Sequence, residues 1–187
     1  VFVLQIGLVL SGGKSSRMGK DKAELQVGSS TMLEHSVSLL QSLNLDDVVI
    51  SGSEKGCSDI YPSRGPVGGI YSTIVNMSLQ VGDFVLIIPN DMPLMRSNVL
   101  SQLLEQSLNH RCTFIFKRHP MPLSLYISES ILAQCQLLER LEGMSIKQLI
   151  EVDKVGELAV LDESVFTNVN TPQELEDAIQ IQKEMRP

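Results

Sequence analysis

Residues 10–22 read LSGGKSSRMGKDK and follow directly on the apolar positions Ile6, Leu8 and Val9. An apolar run that ends in a turn rich in glycine and cations is a buried strand delivering a phosphate-binding loop. Glycines at 12, 13 and 19 open backbone conformations closed to other residues and let N–H groups approach a ligand, while Lys14, Arg17, Lys20 and Lys22 supply countercharge. A strand that hands its ligand loop to a helix is the opening unit of an α/β sheet. Neither of the two commonest phosphate loops fits. Five residues, not four, separate Gly13 from Gly19, Asp21 follows Lys20 where a P-loop needs Ser or Thr, and no G-x-G-x-x-G occurs.

Outward from this loop, strands and helices alternate. The first strand spans 3–10, and residues 31–43 read as a helix with Leu33, Val37, Leu40 and Leu43 on one face. Residues 48–50 form a second strand, Pro66 opens a helix running toward position 80, and the continuously apolar stretch 84–88 reads as a central strand of a parallel sheet. Helical spacing over 98–108 is followed by alternating strands at 113–117 and 123–127, which bracket a proline-marked turn at 119–122 and pair antiparallel. Helices at 130–141 and 145–150, a short strand at 158–161 and a closing helix at 172–185 complete the pattern. This predicts an α/β fold, doubly wound, with a mostly parallel sheet and one late antiparallel strand. Ligands in such sheets sit at the carboxyl ends of strands.

At 187 residues, with 43% hydrophobic and 20% charged residues, the chain is expected to form one domain, residues 1–187. Its net charge of −7 argues against a nucleic-acid partner, and no apolar run approaches a membrane span, so no membrane partner and a cytoplasmic location are expected. Charge is uneven. Residues 14–22 hold four bases and one acid, whereas residues 151–187 hold nine acids and three bases, a distribution that steers a small anion to the first loop. Cys57, Cys112 and Cys135 show no C-x-x-C and indicate neither a disulfide framework nor a thiolate metal site.

Other loops add chemistry. Asp91, in Pro89-Asn90-Asp91-Met92-Pro93, lies just past a strand, where a carboxylate either holds Mg²⁺ or caps the next helix. Gly68 and Gly69 admit close approach of a ligand, or of protein, to their helix. Asp59 is either an exposed loop acid or an acceptor for the paired ring N–H and amino donors of guanine. Asn168, Asn170 and Thr171 precede the last helix as candidate caps. His35, His110 and His119 have no metal-ligand spacing, and the turn position of His119 predicts solvent exposure. Lys117, Arg118 and His119 form either a solvated basic turn or a contact for an anionic second substrate.

Taken in order, LSGGKSSRMGKDK, GPVGG, PNDMP and NVNTPQEL resemble the molybdenum cofactor guanylyltransferases, also called molybdopterin-guanine dinucleotide biosynthesis protein A, over residues 6 to about 178. The resemblance implies a three-layer α/β/α fold of the nucleotide-diphospho-sugar transferase type. It also implies Mg²⁺-dependent transfer of GMP from GTP to the terminal phosphate of molybdopterin. On that basis Leu10, Ser11, Gly12, Gly13, Lys22, Ser51, Asp59 and Asp91 are the expected GTP contacts, Asp59 reading guanine, Asp91 is the metal ligand and Asn170 is a polar active-site residue, and the chemistry of pyrophosphate release adds Arg17 to Lys22 and Asp91 as catalytic. GTP and molybdopterin are the implied partners, with other cofactor-biosynthesis proteins and apo-molybdoenzymes as candidates. Three positions depart from the family pattern: Ser11 replaces Ala, Asn90 replaces a frequent Cys, and Ser51 stands where a nucleotide-contacting Asn is usual. Cytidylyl transfer to molybdopterin, nucleotidyl transfer to a sugar or alditol phosphate, and a non-catalytic nucleotide-binding protein are the alternatives.

Overall fold

A computed structural model of the chain describes residues 2–11, 25–27, 29–52, 57–61, 64–137 and 143–184. The described strands, in chain order, are β1 (Gln5–Leu10), β2 (Gln26–Val27), β3 (Ser30–Thr31), β4 (Asp47–Ile50), β5 (Phe84–Pro89), β6 (Thr113–Phe116), β7 (His119–Tyr126) and β8 (Val155–Leu158). The helices are α1 (Met32–Gln41), α2 (Gly65–Asn76), α3 (Ser97–His110), α4 (Glu129–Gln136), α5 (Ile146–Ile150) and α6 (Pro172–Glu184). Six strands form one sheet in the order β4-β1-β5-β7-β6-β8, and β2 and β3 form a separate two-stranded ladder. Within the large sheet β7 alone runs antiparallel, to β5 on one side and β6 on the other.

Period-two alternation of apolar side chains in strands apolar on both faces produces the three layers. Ile6, Leu8 and Leu10 of β1 and Val85 and Ile87 of β5 face a core shared with Val67, Ile70 and Ile74 of α2, Ile131 of α4 and Leu149 of α5. Val9, Leu86 and Ile88 face the opposite core, with Leu40 of α1, Leu100, Leu103 and Leu104 of α3, and Phe166. A third cluster, Met32, Leu94, Val169, Leu175 and Ala178, seats α6. Local signals fix the helix starts. Thr31 and Glu34 form a capping box on α1, Ser145 and Gln148 form one on α5, and Pro66 occupies the first turn of α2.

Two strands differ from the sequence reading. Residues 119–122, expected as a turn, belong to β7, and the hairpin turns at Lys117 and Arg118, where Arg118 takes φ 70°. Pro120 and Pro122 are tolerated there because β7 pairs with β5 only from Leu123 onward and its register against β6 shifts between Ile115 and Phe116. The last strand lies at Val155–Leu158, not 158–161, in register with Thr113–Phe116, and Leu161 is exposed. Helix α2 also stops at Asn76, short of position 80. Ser78 adopts the left-handed conformation, and Leu79 N donates to Ile74 O at 2.9 Å, closing the helix end.

Candidate active site

Strands β4, β1 and β5 end level, because Val9 is in register with both Ile50 and Ile88, and Leu10 with Pro89. The ladder continues one residue past each end: Ser51 N donates to Val9 O at 3.0 Å and Asn90 N to Leu10 O at 3.3 Å. Ser11 N donates to Ser51 Oγ at 3.3 Å. Leu10, Ser11, Ser51 and Asn90 thus form a continuous rim, and Asp91 follows it on the β5 side. Gly12, Gly13, Arg17 and Lys22, with Lys14 and Lys20, lie outside the described residues.

On the β4 side the chain folds back over the rim. Cys57 N donates to Ile50 O at 2.9 Å and Gly52 N to Cys57 O at 3.1 Å. Gly52 has φ 70°, in the left-handed region, and a β-carbon on it would lie 3.4 Å from Asp59 Oδ2. The Asp59 carboxylate therefore rests against the residue next to Ser51. Its Oδ1 is buried and accepts no hydrogen bond among the described residues.

On the β5 side, Val169 N donates to Asp91 O at 2.8 Å, so the loop before α6 is fastened to the Asp91 turn. Asn170 follows, exposed at that junction. The helix start is capped by Thr171 and Glu174. Asn170 N and Thr171 N donate to Glu174 Oε2 at 2.6 and 3.1 Å, and Glu174 N donates to Thr171 Oγ1 at 3.2 Å. The structure therefore brings together the predicted residues Leu10, Ser11, Ser51, Asp59, Asp91 and Asn170 at the carboxyl ends of three parallel strands.

Gly69 and Gly68 serve packing. A β-carbon on Gly69 would meet Ser51 Cβ at 2.9 Å and Leu10 Cδ2 at 3.2 Å, and one on Gly68 would meet Arg64 Cβ at 2.9 Å and Tyr61 O at 3.3 Å. Protein, the second of the two readings, fills that space. His119 also departs from expectation. Its ring stacks on Phe166 at 4.0 Å between centroids, and Nε2 lies 2.8 Å from Glu163 Oε2. Glu163 is also 3.9 Å from Arg118 Nη2.

Sequence reasoning missed three residues near the site. Ser72 and Asn76 of α2 hold the segment that carries Asp59. Ile60 N donates to Ser72 Oγ at 2.9 Å, and Asn76 Nδ2 donates to Cys57 Sγ at 3.0 Å and Ser58 O at 3.1 Å. His35 of α1 meets the Pro93 carbonyl in the Asp91 turn. Burial holds its pKa below the ordinary imidazole value, opposed by that carbonyl as an acceptor, and Nε2 is buried with no hydrogen-bond partner among the described residues.

Among the described residues no three His, Cys, Asp or Glu side chains cluster to cage a metal. The donor set available at the rim, the Asp91 carboxylate, suits a hard cation that takes its remaining ligands from water and substrate phosphates.

A rim at the carboxyl ends of parallel strands is where α/β sheets bind their ligands, and the chain is a nucleotidyltransferase of α/β/α architecture. Residues 7–155 match the MobA-like NTP transferase domain, and the chain belongs to that family. Molybdenum cofactor guanylyltransferase of Xanthomonas euvesicatoria pv. vesicatoria is 32% identical over 176 residues, covering 90% of each chain. The fold is that of molybdopterin-guanine dinucleotide biosynthesis protein A from Archaeoglobus fulgidus, at TM-score 0.67 and 20% identity over 96% of this chain and 100% of that one. It is shared with 2-C-methyl-D-erythritol 4-phosphate cytidylyltransferase from Thermus thermophilus, at TM-score 0.65 and 15% identity over 94% and 98% of the two chains. The same architecture thus serves more than one base.

Proposed function

We propose that this nucleotidyltransferase transfers GMP from GTP to the terminal phosphate of molybdopterin and releases pyrophosphate. The observation that carries the choice of base is the Asp59 carboxylate beside Gly52, with a buried Oδ1 that accepts no hydrogen bond among the described residues. A carboxylate is an acceptor with two oxygens, and guanine presents a ring N–H and an amino group side by side. Cytosine and adenine each offer an amino group next to a ring acceptor, which the second oxygen would repel. The names of the aligned relatives supply the second substrate.

In the proposed step an oxygen of the molybdopterin phosphate bonds to the α-phosphorus of GTP while the bond from that phosphorus to the bridging oxygen breaks, and pyrophosphate departs. The nucleophile needs no general base, because a phosphate monoester with a second pKa of about 6 is largely ionised at pH 7. Leu10, Ser11 and Ser51 border the nucleotide, Lys22 and Arg17 neutralise the phosphates and the leaving group, and Asn170 orients a substrate at the Asp91 turn. Asp91 would hold Mg²⁺, which supplies charge neutralisation at the phosphates when bound.

The test is turnover with molybdopterin, Mg²⁺ and GTP, CTP or ATP, detecting the dinucleotide and pyrophosphate. GTP should be the productive nucleotide. Product from CTP in preference to GTP would make this a cytidylyltransferase, and no dinucleotide from any of the three would overturn the reaction itself. Asp91→Ala should lower turnover by roughly 10²–10³-fold with an unchanged circular dichroism spectrum.

A further inference from the structure

One face of α2 runs alongside the segment that carries Asp59. Positions 68, 72 and 76 are spaced one helical turn apart and share that face. At the first, the missing β-carbon of Gly68 leaves room for Tyr61 O, which would otherwise lie 3.3 Å from it. At the second, Ser72 Oγ accepts from Ile60 N at 2.9 Å while donating to Gly68 O at 2.8 Å. At the third, Asn76 Nδ2 donates to Cys57 Sγ at 3.0 Å and Ser58 O at 3.1 Å. The Tyr61 ring also stacks on Tyr71 of the same helix, at 5.5 Å and 24°. Residues 57, 58, 60 and 61 are thus each fastened to α2, and Asp59 is the position between them whose carboxylate turns to Gly52.

From this rail we infer that Ser72 and Asn76 are positioning residues for base selection: they fix the height and angle of the Asp59 carboxylate so that its two oxygens meet the paired donors of a guanine edge. The inference rests on the proposed role of Asp59. Ser72 is fully buried, so its hydroxyl is not a solvent-facing group that happens to find a partner. Its oxygen is the acceptor for Ile60 N, and a segment released from it loses its fixed offset from the helix. Asp59 is one residue from both fastened neighbours, so a shift of either moves the carboxylate without touching the phosphate end of the site. The selectivity of a site built to hydrogen-bond a substrate N–H depends on that alignment.

The experiment compares GTP with ITP, which lacks only the 2-amino group, in the wild type and in Asp59→Ala, Ser72→Ala and Asn76→Ala. The wild type should favour GTP in kcat/KM, and Asp59→Ala should bring the ratio near one. Ser72→Ala and Asn76→Ala should raise KM for GTP about tenfold and about threefold, with kcat within about twofold and KM for ITP raised less, because ITP keeps the ring N–H but has no amino group to lose, so the GTP preference falls. If Asp59→Ala leaves the preference intact, Asp59 does not read the base and the positioning role fails with it. If Asp59→Ala abolishes the preference while both α2 variants keep it, or lose activity equally toward GTP and ITP, the rail is structural only and the base reading stands. Asn76 is exposed, so its variant decides the matter even if Ser72→Ala does not fold.

Discussion

Replacing Gly69 by alanine sets two effects of known sign against each other. Within a helix the change favours folding by about 1 kcal/mol. Here the new methyl would stand 2.9 Å from Ser51 Cβ, 3.2 Å from Ser51 Oγ and 3.2 Å from Leu10 Cδ2. The leucine tip can rotate away, but Ser51 Cβ sits directly on a backbone held by its 3.0 Å bond to Val9 O and by its bridge to Cys57. Overpacking against such a neighbour costs about 1–3 kcal/mol, leaving a net loss of about 0–2 kcal/mol after the helical gain. For a chain of this size that lowers Tm by up to about 8 °C. The displaced Ser51 also loosens its bond from Ser11 N, and where the rim borders the nucleotide as proposed, each loss of about 1 kcal/mol in binding, the worth of one hydrogen bond, should raise KM for GTP about fivefold. Thermal denaturation and steady-state kinetics read both. Ser51→Gly removes the clashing carbon, so in the double variant the helical gain should reappear, whereas Ser51→Ala keeps the carbon and should not rescue. If Gly69→Ala raises Tm, or if Gly69→Ala and Ser51→Gly add within about 0.5 kcal/mol, the packing argument is refuted.

Because the native pKa of His35 lies below that of an exposed imidazole, the unfolded chain takes up a proton that the folded chain refuses. The stability this confers is complete above the ordinary imidazole value of about 6.5 and is lost as pH falls toward the native value, so Tm should drop between pH 7.5 and 5.5 more steeply in the wild type than in His35→Gln. An identical slope in the two proteins would exclude His35 as the source. At the opposite end of the sheet, buried Asp83 accepts from Leu4 N at 2.9 Å and Gln80 N at 2.7 Å, tying the entry of β1 to that of β5. Asp83→Ala should cost about 2–4 kcal/mol and roughly 5–15 °C in Tm while leaving KM for GTP unchanged at 25 °C, and a stable variant with altered KM would contradict this separation of fold from site.

The alternation of strands and helices was legible because each element carries its own period. Val9 and Leu8 face opposite cores as adjacent strand residues must, and the Thr31–Glu34 box marks the start of α1. The errors fell where one residue type had two uses. Pro120 and Pro122 signal a turn locally, yet they lie beyond the length over which β7 needs its N–H groups for β5. Val155–Leu158 holds a glycine and a glutamate and gains its strand character from β6, which sequence order does not reveal. At the site, Asp91 could be singled out because two prolines mark its turn, whereas Asn170 reads from the residues alone as a helix-cap candidate and owes its place among the site residues to the family resemblance. Ser72, Asn76 and His35 could not, since a polar residue in a helix reads as solvent-facing until the partner segment is placed against it.

Strand order also gives the proposed nucleotide a direction. The chain leaves β1 for β4 on one side and returns to β5 on the other, so the crevice opens above β1, where the topology reverses. Asp59 stands on the β4 flank and Asp91 on the β5 flank, two strand spacings or about 10 Å apart across the sheet. On the proposed reading, a GTP whose base meets Asp59 lays its phosphates across β1 toward Asp91 on the β5 flank. Because β6 runs parallel to β5, its hairpin turn lies at the same edge of the sheet, which puts the basic pair Lys117 and Arg118 at the edge where the proposed substrates bind. Charge reversal at Lys117 should accordingly raise KM for the phosphate acceptor and leave KM for GTP alone, whereas an effect on GTP alone would place the acceptor on another flank.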